Sequence, residues 1–263
     1  MPYLDLPDTR LFYTDQGDGP PVVLVHGYTC DSTDWTWALP TLLEHFRVIA
    51  YDRRGEGRSG PAADHSMERQ VEDLVRVIEH VGCPSPVVVG HSLGGAIASC
   101  LAVERPGVAR AVVVLDPPYA AEPAAAALAD GLVPVLQTEA AWEAVTGLWR
   151  AINYTDETPG WLKVLAERRV AADSRETLHG GFVSMWQHPG GIERRPTADA
   201  YLARRRCPVL AIHSTRAMSG FEESTFGDPR SRAVDWPGAG HWLQVERPAQ
   251  FAETLVDWVA ELG

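Results

Sequence analysis

The chain has 263 residues, with 23 basic and 35 acidic side chains and a formal net charge of −12. This acidic balance disfavours nucleic acid as a partner, because the basic side chains are scattered except at 204–206. No apolar run approaches the roughly 18 residues of a membrane-spanning helix, and the first residues lack a secretion-signal pattern. We therefore expect a soluble, cytoplasmic protein that binds neither nucleic acid nor a membrane.

The four cysteines lie far apart and show neither a C-x-x-C pairing nor a histidine at metal-ligand spacing. We interpret them as plain buried or half-buried thiols, and we predict no metal site and no cofactor. They are Cys30, Cys83, Cys100 and Cys207.

Strand and helix patterns alternate from the start of the chain. Residues 10–16 and 22–25 are predicted strands, and the second is a continuous apolar run typical of a strand buried on both faces. Residues 34–45 have helical character. Residues 46–51 form the next predicted strand, which leads into a glycine-rich loop at 54–60.

The alternation continues through the middle of the first half. Ser66 is predicted to cap an amphipathic helix that Gly82 ends. A strand at 87–89, a helix to about Arg105 and a strand at 111–115 follow. This succession predicts an α/β fold with a mostly parallel, doubly wound sheet.

Ser92 lies on a sharp turn between the strand at 87–89 and the following helix. The pattern Gly-His-Ser-Leu-Gly is that of a nucleophile elbow, a strained turn that brings strand and helix very close together. The positions two before and two after the serine must then be small, and Gly90 and Gly94 meet this requirement. Such a turn would also aim the N–H of Leu93 at a developing oxyanion.

Residues 119–206 interrupt the alternation with helical segments and no strong strand signal. We predict a helical cap over the sheet, with the core formed by 1–118 and 207–263. The cap segment holds four of the nine tryptophans. Any one of them can simply pack small helices together, but we expect at least one to face a ligand. The candidates for the substrate pocket are Trp142, Trp149, Trp161 and Trp186.

A serine hydroxyl is a poor nucleophile at neutral pH and needs a base within hydrogen-bond reach. His241 is the best candidate, since its loop follows a predicted strand at 233–235 and precedes a helix at 248–261. Tyr28 follows the strand at 22–25, where its backbone N–H could supply the second donor of an oxyanion hole. We interpret the neighbouring His26 as a structural residue of that loop.

Four motifs in order resemble those of the α/β-hydrolase superfamily: His26-Gly27, Asp52 to Ser59, Gly90 to Gly95, and Gly240-His241. The resemblance covers nearly the whole chain outside the insertion. It implies an α/β-hydrolase fold in which a helical cap, inserted after the sixth strand, shapes the substrate pocket. It is specific for the fold and only weakly specific for the substrate.

The orienting acid departs from the commoner pattern of these relatives, which place it after their seventh strand; residues 208–213 are the corresponding predicted strand here, and 111–115 correspond to the sixth. This chain has Ala217 at that position, and Glu222 and Glu223 lie five residues or more beyond it. We therefore predict that Asp116, at the end of the sixth strand, orients His241. The alternative is that this aspartate only forms a turn before proline.

An acid after the sixth strand resembles a minority of the superfamily. This minority includes lactone hydrolases of the zearalenone-degrading kind, some haloalkane dehalogenases and cofactor-free dioxygenases of quinolones. A serine at position 92 argues against dehalogenation and epoxide hydrolysis, which need a carboxylate at the elbow.

The leading hypothesis is a serine hydrolase that cleaves an ester or lactone of a bulky apolar or aromatic substrate through an acyl-enzyme. A zearalenone-like macrolactone is one candidate substrate. A second hypothesis is a cofactor-free dioxygenase or carbon–carbon bond hydrolase in which His241 and Asp116 act as a base dyad. A third is a ligand sensor that keeps the triad without turnover. A homodimer is left open.

Overall fold

An eight-stranded sheet in the order β1-β2-β4-β3-β5-β6-β7-β8 forms the centre of the computed structural model, which describes residues 2–188 and 190–263. β1 and β2 pair antiparallel with each other, and β2 pairs antiparallel with β4. All other neighbours are parallel. The strands are β1 (Tyr3–Asp5), β2 (Arg10–Gln16), β3 (Pro21–Val25), β4 (Arg47–Tyr51), β5 (Val87–His91), β6 (Ala111–Leu115), β7 (Val209–His213) and β8 (Arg232–Asp235). The predicted α/β class with a mostly parallel sheet is confirmed.

Helices cover both faces of the sheet, as the continuous apolar strands require. Within the described residues the α-helices are α1 (Leu39–Leu42), α2 (Met67–His80), α3 (Leu93–Glu104), α4 (Pro123–Leu132), α5 (Ala141–Leu148), α6 (Gly160–Ala172), α7 (Arg175–Trp186), α8 (Thr197–Leu202), α9 (Arg216–Glu223), α10 (Leu243–Glu246) and α11 (Pro248–Leu262). Short 3₁₀ turns span Ser32–Trp35 and Val135–Gln137, and a π-helical turn spans Trp149–Asn153.

The side chains of each central strand alternate between two hydrophobic layers. Val23 and Val25 of β3 pack in the layer that contains α2 and α3. Val22 and Leu24 pack in the opposite layer with α1 and α11. All five residues of β5, β6 and β7 are buried. This burial fixes the strands rigidly, and their carboxyl ends meet along one edge of the sheet.

The helix predicted at 34–45 is wrong in extent. The chain forms a 3₁₀ turn at Ser32–Trp35, whose N-terminus the Asp31 side chain caps, and then the separate short helix α1. Pro40 lies in the first turn of α1, where a missing N–H and a fixed φ favour a new helix start. The fully buried Trp35 anchors the first piece against Phe251.

The segment between β6 and β7 contains α4 to α8. An isolated β-bridge joins Ala121 to Arg194 and so brings the two ends of this segment together. In the part of the chain that the structure describes, no helix is both long and apolar enough to cross a membrane.

Candidate active site

Ser92 occupies the turn between β5 and α3 with φ of 51° and ψ of −121°. This conformation is rare for a residue with a side chain because the Cβ atom crowds the backbone. A Cβ atom on Gly90 would overlap the backbone of Gly94, and one on Gly94 would overlap the carbonyl of Val25. Strand, helix and the neighbouring β3 therefore touch through bare backbone, and this contact holds the strained turn.

We predict that Gly94→Ala destabilises the protein by about 1–3 kcal/mol or more, the usual cost of overpacking, because backbone atoms cannot move aside as side chains do. Gly147→Ala is the matched control, since the new methyl group would meet nothing within 4 Å in α5. That control should be neutral or slightly stabilising. Urea unfolding of both variants measures the difference. Equal stability of the two variants would contradict the close contact.

Asp116 follows β6 and, like Ser92, has a positive φ, of 46°. Its carboxylate accepts hydrogen bonds from the backbone N–H and the hydroxyl of Ser214, at 2.9 Å and 3.0 Å for Oδ1. Its Oδ2 lies 3.2 Å from Nδ1 of His241. Because the ionised carboxylate only accepts hydrogen bonds, Nδ1 carries the proton and Nε2 is left as the basic nitrogen.

His241 is fixed in its loop by contacts on both sides. The Nε2–H of His91 donates to the carbonyl oxygen of His241 at 2.9 Å, and the two ring centroids are 4.8 Å apart. The N–H of His241 donates to the carbonyl oxygen of Asn153 at 3.2 Å. These contacts place the imidazole beside the elbow. Within the described residues the Ser92 hydroxyl has no hydrogen-bond partner. A hydrogen bond between a catalytic nucleophile and its base often forms or tightens only when substrate binds.

The loop after β3 packs directly on the elbow. A Cβ atom on Gly27 would lie 3.0 Å from Cβ of Ser92, and so the Gly27–Tyr28 peptide lies against the candidate nucleophile. Neither the N–H of Tyr28 nor that of Leu93 has a hydrogen-bond partner among the described residues. Leu93 begins α3, where the first N–H groups have no partner inside the helix.

Buried polar groups hold this loop in place. His26 accepts a hydrogen bond from the N–H of Arg53 at Nε2 and donates from Nδ1 to the carbonyl of Gly27, each at 2.8 Å. Burial and the nearby Arg53 lower the pKa of His26 to about 3, so the ring is neutral. Glu56 accepts a hydrogen bond from the N–H of Thr29 at 2.7 Å. These contacts agree with a structural part for His26.

The four tryptophans of the 119–206 segment lie in different places. Trp149 lies nearest to the loop after β3, since its indole N–H donates to Thr29 at 3.3 Å and its ring centroid is 5.7 Å from that of Tyr28. Trp186 packs on Phe182 at 6.2 Å. Trp142 donates to the carbonyl of Asp173 and joins helices.

Trp161 is not brought to the site. Its side chain is 47% exposed and stacks on Trp37 with ring centroids 5.2 Å apart. The structure therefore gives Trp161 a surface contact in place of the predicted pocket position. Helical spacing alone could not separate the two faces of α6.

The carboxylates considered as alternatives to Asp116 do not reach His241. Glu223 is exposed on α9. Ala217, at the position where the relatives carry the acid, lies in the first turn of the same helix. Glu222 is fully buried and binds elsewhere: it accepts hydrogen bonds from Arg205 at 2.7 Å and from the Tyr119 hydroxyl at 2.6 Å.

His213 is a site residue that sequence reasoning missed. It ends β7 and lies fully buried between two carboxylates, with Nδ1 3.7 Å from Oδ1 of Asp116 and Nε2 3.8 Å from Oε2 of Glu222. A charged chain therefore runs from Arg205 through Glu222 and His213 to Asp116 and His241. A histidine at the end of an otherwise apolar strand was the available signal.

The charged residues of this series shift one another's pKa values. Burial disfavours the charged imidazole, but Asp116 and Glu222 together raise the pKa of His213 to about 9. Burial likewise disfavours the charged Asp116, but His213, His241 and the N–H of Ser214 hold its pKa well below its usual range. At neutral pH the geometry thus presents an ionised Asp116 to His241, with a buried imidazolium behind it.

We predict that replacing His213 by glutamine makes stability less dependent on pH. The pKa of His213 is about 9 in the folded chain against 6.5 for the free group, so its charged form stabilises the fold fully below about pH 6.5. This stabilisation, on the order of 3 kcal/mol, is lost as the pH rises through 9. Urea unfolding of wild type and His213→Gln between pH 6 and 9.5 measures it. A difference that stays constant over this range would rule out the buried imidazolium.

The fold and the elbow at its carboxyl edge define the class to which this chain belongs. It is a member of the alpha/beta hydrolase family, whose pattern matches residues 22–254.

Curated relatives align with different shares of the chain. A 2-hydroxymuconate semialdehyde hydrolase of a Pseudomonas species is 29% identical over 262 residues, which cover 94% of this chain and 89% of the relative. A non-heme haloperoxidase of Rhodococcus erythropolis is 40% identical over 119 residues, which are 43% of each chain. The chain thus spans less than half the length of this haloperoxidase.

Solved structures agree with the fold. A hydrolase of Pseudomonas aeruginosa superposes with a TM-score of 0.85 at 22% identity, covering 98% of this chain and 97% of its own. An enol-lactonase of Burkholderia xenovorans superposes with a TM-score of 0.84 at 19% identity, covering 98% and 100%. At these identities the likeness concerns the fold alone.

Proposed function

We propose that this hydrolase cleaves carboxylic esters or lactones through an acyl-enzyme on Ser92. The observation that carries the proposal is the pairing of His241 with Asp116 at 3.2 Å in a loop that packs beside the strained elbow of Ser92. A hydroxyl nucleophile, an imidazole base and a carboxylate that orients the base are the parts that acyl transfer requires.

The proposed reaction proceeds in two steps. His241 takes the proton of the Ser92 hydroxyl at Nε2 while Oγ attacks the carbonyl carbon, and the backbone N–H groups of Tyr28 and Leu93 stabilise the oxyanion. The imidazolium then gives its proton to the leaving alcohol. A water molecule, activated by the same base, releases the acid. Asp116 keeps the imidazole in the reactive tautomer and stabilises the imidazolium.

The proposed substrate carries a bulky apolar or aromatic group. Tyr28, Trp149 and Trp242 form an aromatic cluster beside the loop after β3, with ring centroids 5.7 Å and 6.2 Å apart. We take the 119–206 segment as the cap that shapes the substrate pocket, and we take Trp149, buried in this aromatic cluster, as its candidate contribution. A macrolactone of the zearalenone kind is one candidate substrate.

We predict that Ser92→Ala reduces the hydrolysis of p-nitrophenyl esters by about 10⁴-fold or more while the protein stays folded. Asp116→Asn should cost as much as about 10⁴-fold, because the amide favours the wrong tautomer of His241. Glu223→Gln, an exposed change on α9, is the matched control and should keep the wild-type rate. Steady-state kinetics measure the hydrolysis rates, and circular dichroism measures whether each variant is folded.

Covalent labelling provides an independent readout. An organophosphonate should modify Ser92 of the wild type stoichiometrically, as peptide mass spectrometry would show. Normal ester hydrolysis by Ser92→Ala, or a label on another serine, would contradict the acyl-enzyme.

Carbon–carbon bond hydrolysis is the second candidate function. The relative that aligns with 94% of this chain acts on 2-hydroxymuconate semialdehyde, and a semialdehyde has no ester bond to hydrolyse. In this case His241 and Asp116 would act as the base dyad. Turnover of that semialdehyde by an enzyme that neither hydrolyses esters nor reacts with an organophosphonate would favour this candidate.

A further inference from the structure

Three potential metal ligands from distant parts of the chain meet behind the elbow. Cys30 lies in the loop after β3, Asp34 in the 3₁₀ turn and His91 at the end of β5. The sulfur, one carboxylate oxygen and one ring nitrogen all lie within 4.8 Å of one another, and all three residues are buried. The cluster cannot be recognised from sequence spacing, because residue 91 comes close to residues 30 and 34 only in the folded chain.

Two of the three side chains carry a buried atom without a partner. Nδ1 of His91 and Oδ2 of Asp34 have no hydrogen bond among the described residues. His91 is 1% exposed and Asp34 is also 1% exposed. A buried polar atom without a partner costs about 1–3 kcal/mol, so such atoms call for an occupant.

The remaining atoms of these side chains are held by donors. Nε2–H of His91 donates to the carbonyl oxygen of His241 at 2.9 Å, which leaves Nδ1 unprotonated, with its lone pair available. Arg169 donates to Oδ1 of Asp34, and the same carboxylate interacts with the Cys30 thiol. The indole N–H of Trp242 donates to the sulfur of Cys30 at 3.4 Å. Donors of this kind orient metal ligands and tune their basicity in known metal sites.

The geometry points to a binding site for a thiophilic divalent cation of the Zn²⁺ class, with Sγ of Cys30, Nδ1 of His91 and Oδ2 of Asp34 as its protein ligands. Sulfur, imidazole nitrogen and carboxylate oxygen are the donor atoms that Zn²⁺ takes in proteins. Cys30 also lines a cavity of about 460 Å³, together with Asp31 and Arg169.

Binding exchanges a proton for the cation. On binding, the S–H bond breaks, the sulfur binds the cation and one proton passes to the buffer.

Cd²⁺ added to the metal-free wild-type protein tests the site, because a cadmium–thiolate bond has its own ultraviolet charge-transfer band. One equivalent should produce the band and raise Tm. Cys30→Ser should abolish the band, and Asp34→Asn should weaken binding by about 10-fold or more. Cys83→Ser and Cys207→Ser, which alter a buried and a half-buried thiol elsewhere, should bind as the wild type does.

A band that survives in Cys30→Ser, or that disappears in Cys207→Ser, would overturn the assignment. X-ray absorption of the wild type loaded with one equivalent of Zn²⁺ covers the case in which a variant does not fold. One sulfur with nitrogen and oxygen ligands is expected there, and a sulfur-free shell would overturn the proposal. These readouts do not depend on ester hydrolysis, so their failure is distinguishable from failure of the proposed function.

Discussion

The contact of bare backbone between β3, β5 and α3 is the constraint on which the rest of the site depends. Gly90 and Gly94 let the helix approach the strands until no Cβ atom would fit, and the strained Ser92 turn closes that gap. Strain also occurs at Thr29 and Asp116, which follow β3 and β6 and have φ of 54° and 46°. Buried parallel strands can hold such turns because their ends cannot shift.

The charged chain behind Asp116 has a definite electrostatic consequence. A carboxylate in a nearly dry site would tend to take up a proton, and a protonated Asp116 could not stabilise an imidazolium on His241. The buried imidazolium of His213 keeps Asp116 ionised. Its positive charge also weakens the electrostatic stabilisation that Asp116 gives to His241. Glu222 offsets part of that effect from the far side of His213, and Arg205 in turn balances Glu222.

Local patterns were sufficient to predict much of the fold. The strands of the parallel sheet, the cap of α2 by Ser66 and the glycines of the elbow each depend on neighbours a few residues away. The pairing of Asp116 with His241 was predicted because the position where relatives carry the acid holds Ala217, and because the strand before Asp116 ends beside the one before Ala217; the two side chains do lie together. Their catalytic roles remain predictions.

Contacts between distant parts of the chain were beyond the sequence. Which strand residue faces Asp116 depends on the register of β6 and β7, so His213 could not be identified from spacing. Likewise, Cys30 and His91 meet only because β3 and β5 are neighbours in the sheet. The position of Trp161 could not be predicted for the same reason: the packing of its helix turns this side chain outward onto Trp37.

The segment inserted after β6 also holds the loop that carries His241. The carbonyl of Asn153, at the end of the π-helical turn, accepts the N–H of His241 at 3.2 Å. Thr155 donates to the carbonyl of Gly238 at 3.3 Å, and a Cβ atom on Gly240 would collide with Thr158. A shift of this segment would therefore move the backbone of His241 as well. The π-helical turn Trp149–Asn153 thus joins the buried indole of Trp149 to the backbone that holds His241, and such turns occur frequently at functional sites.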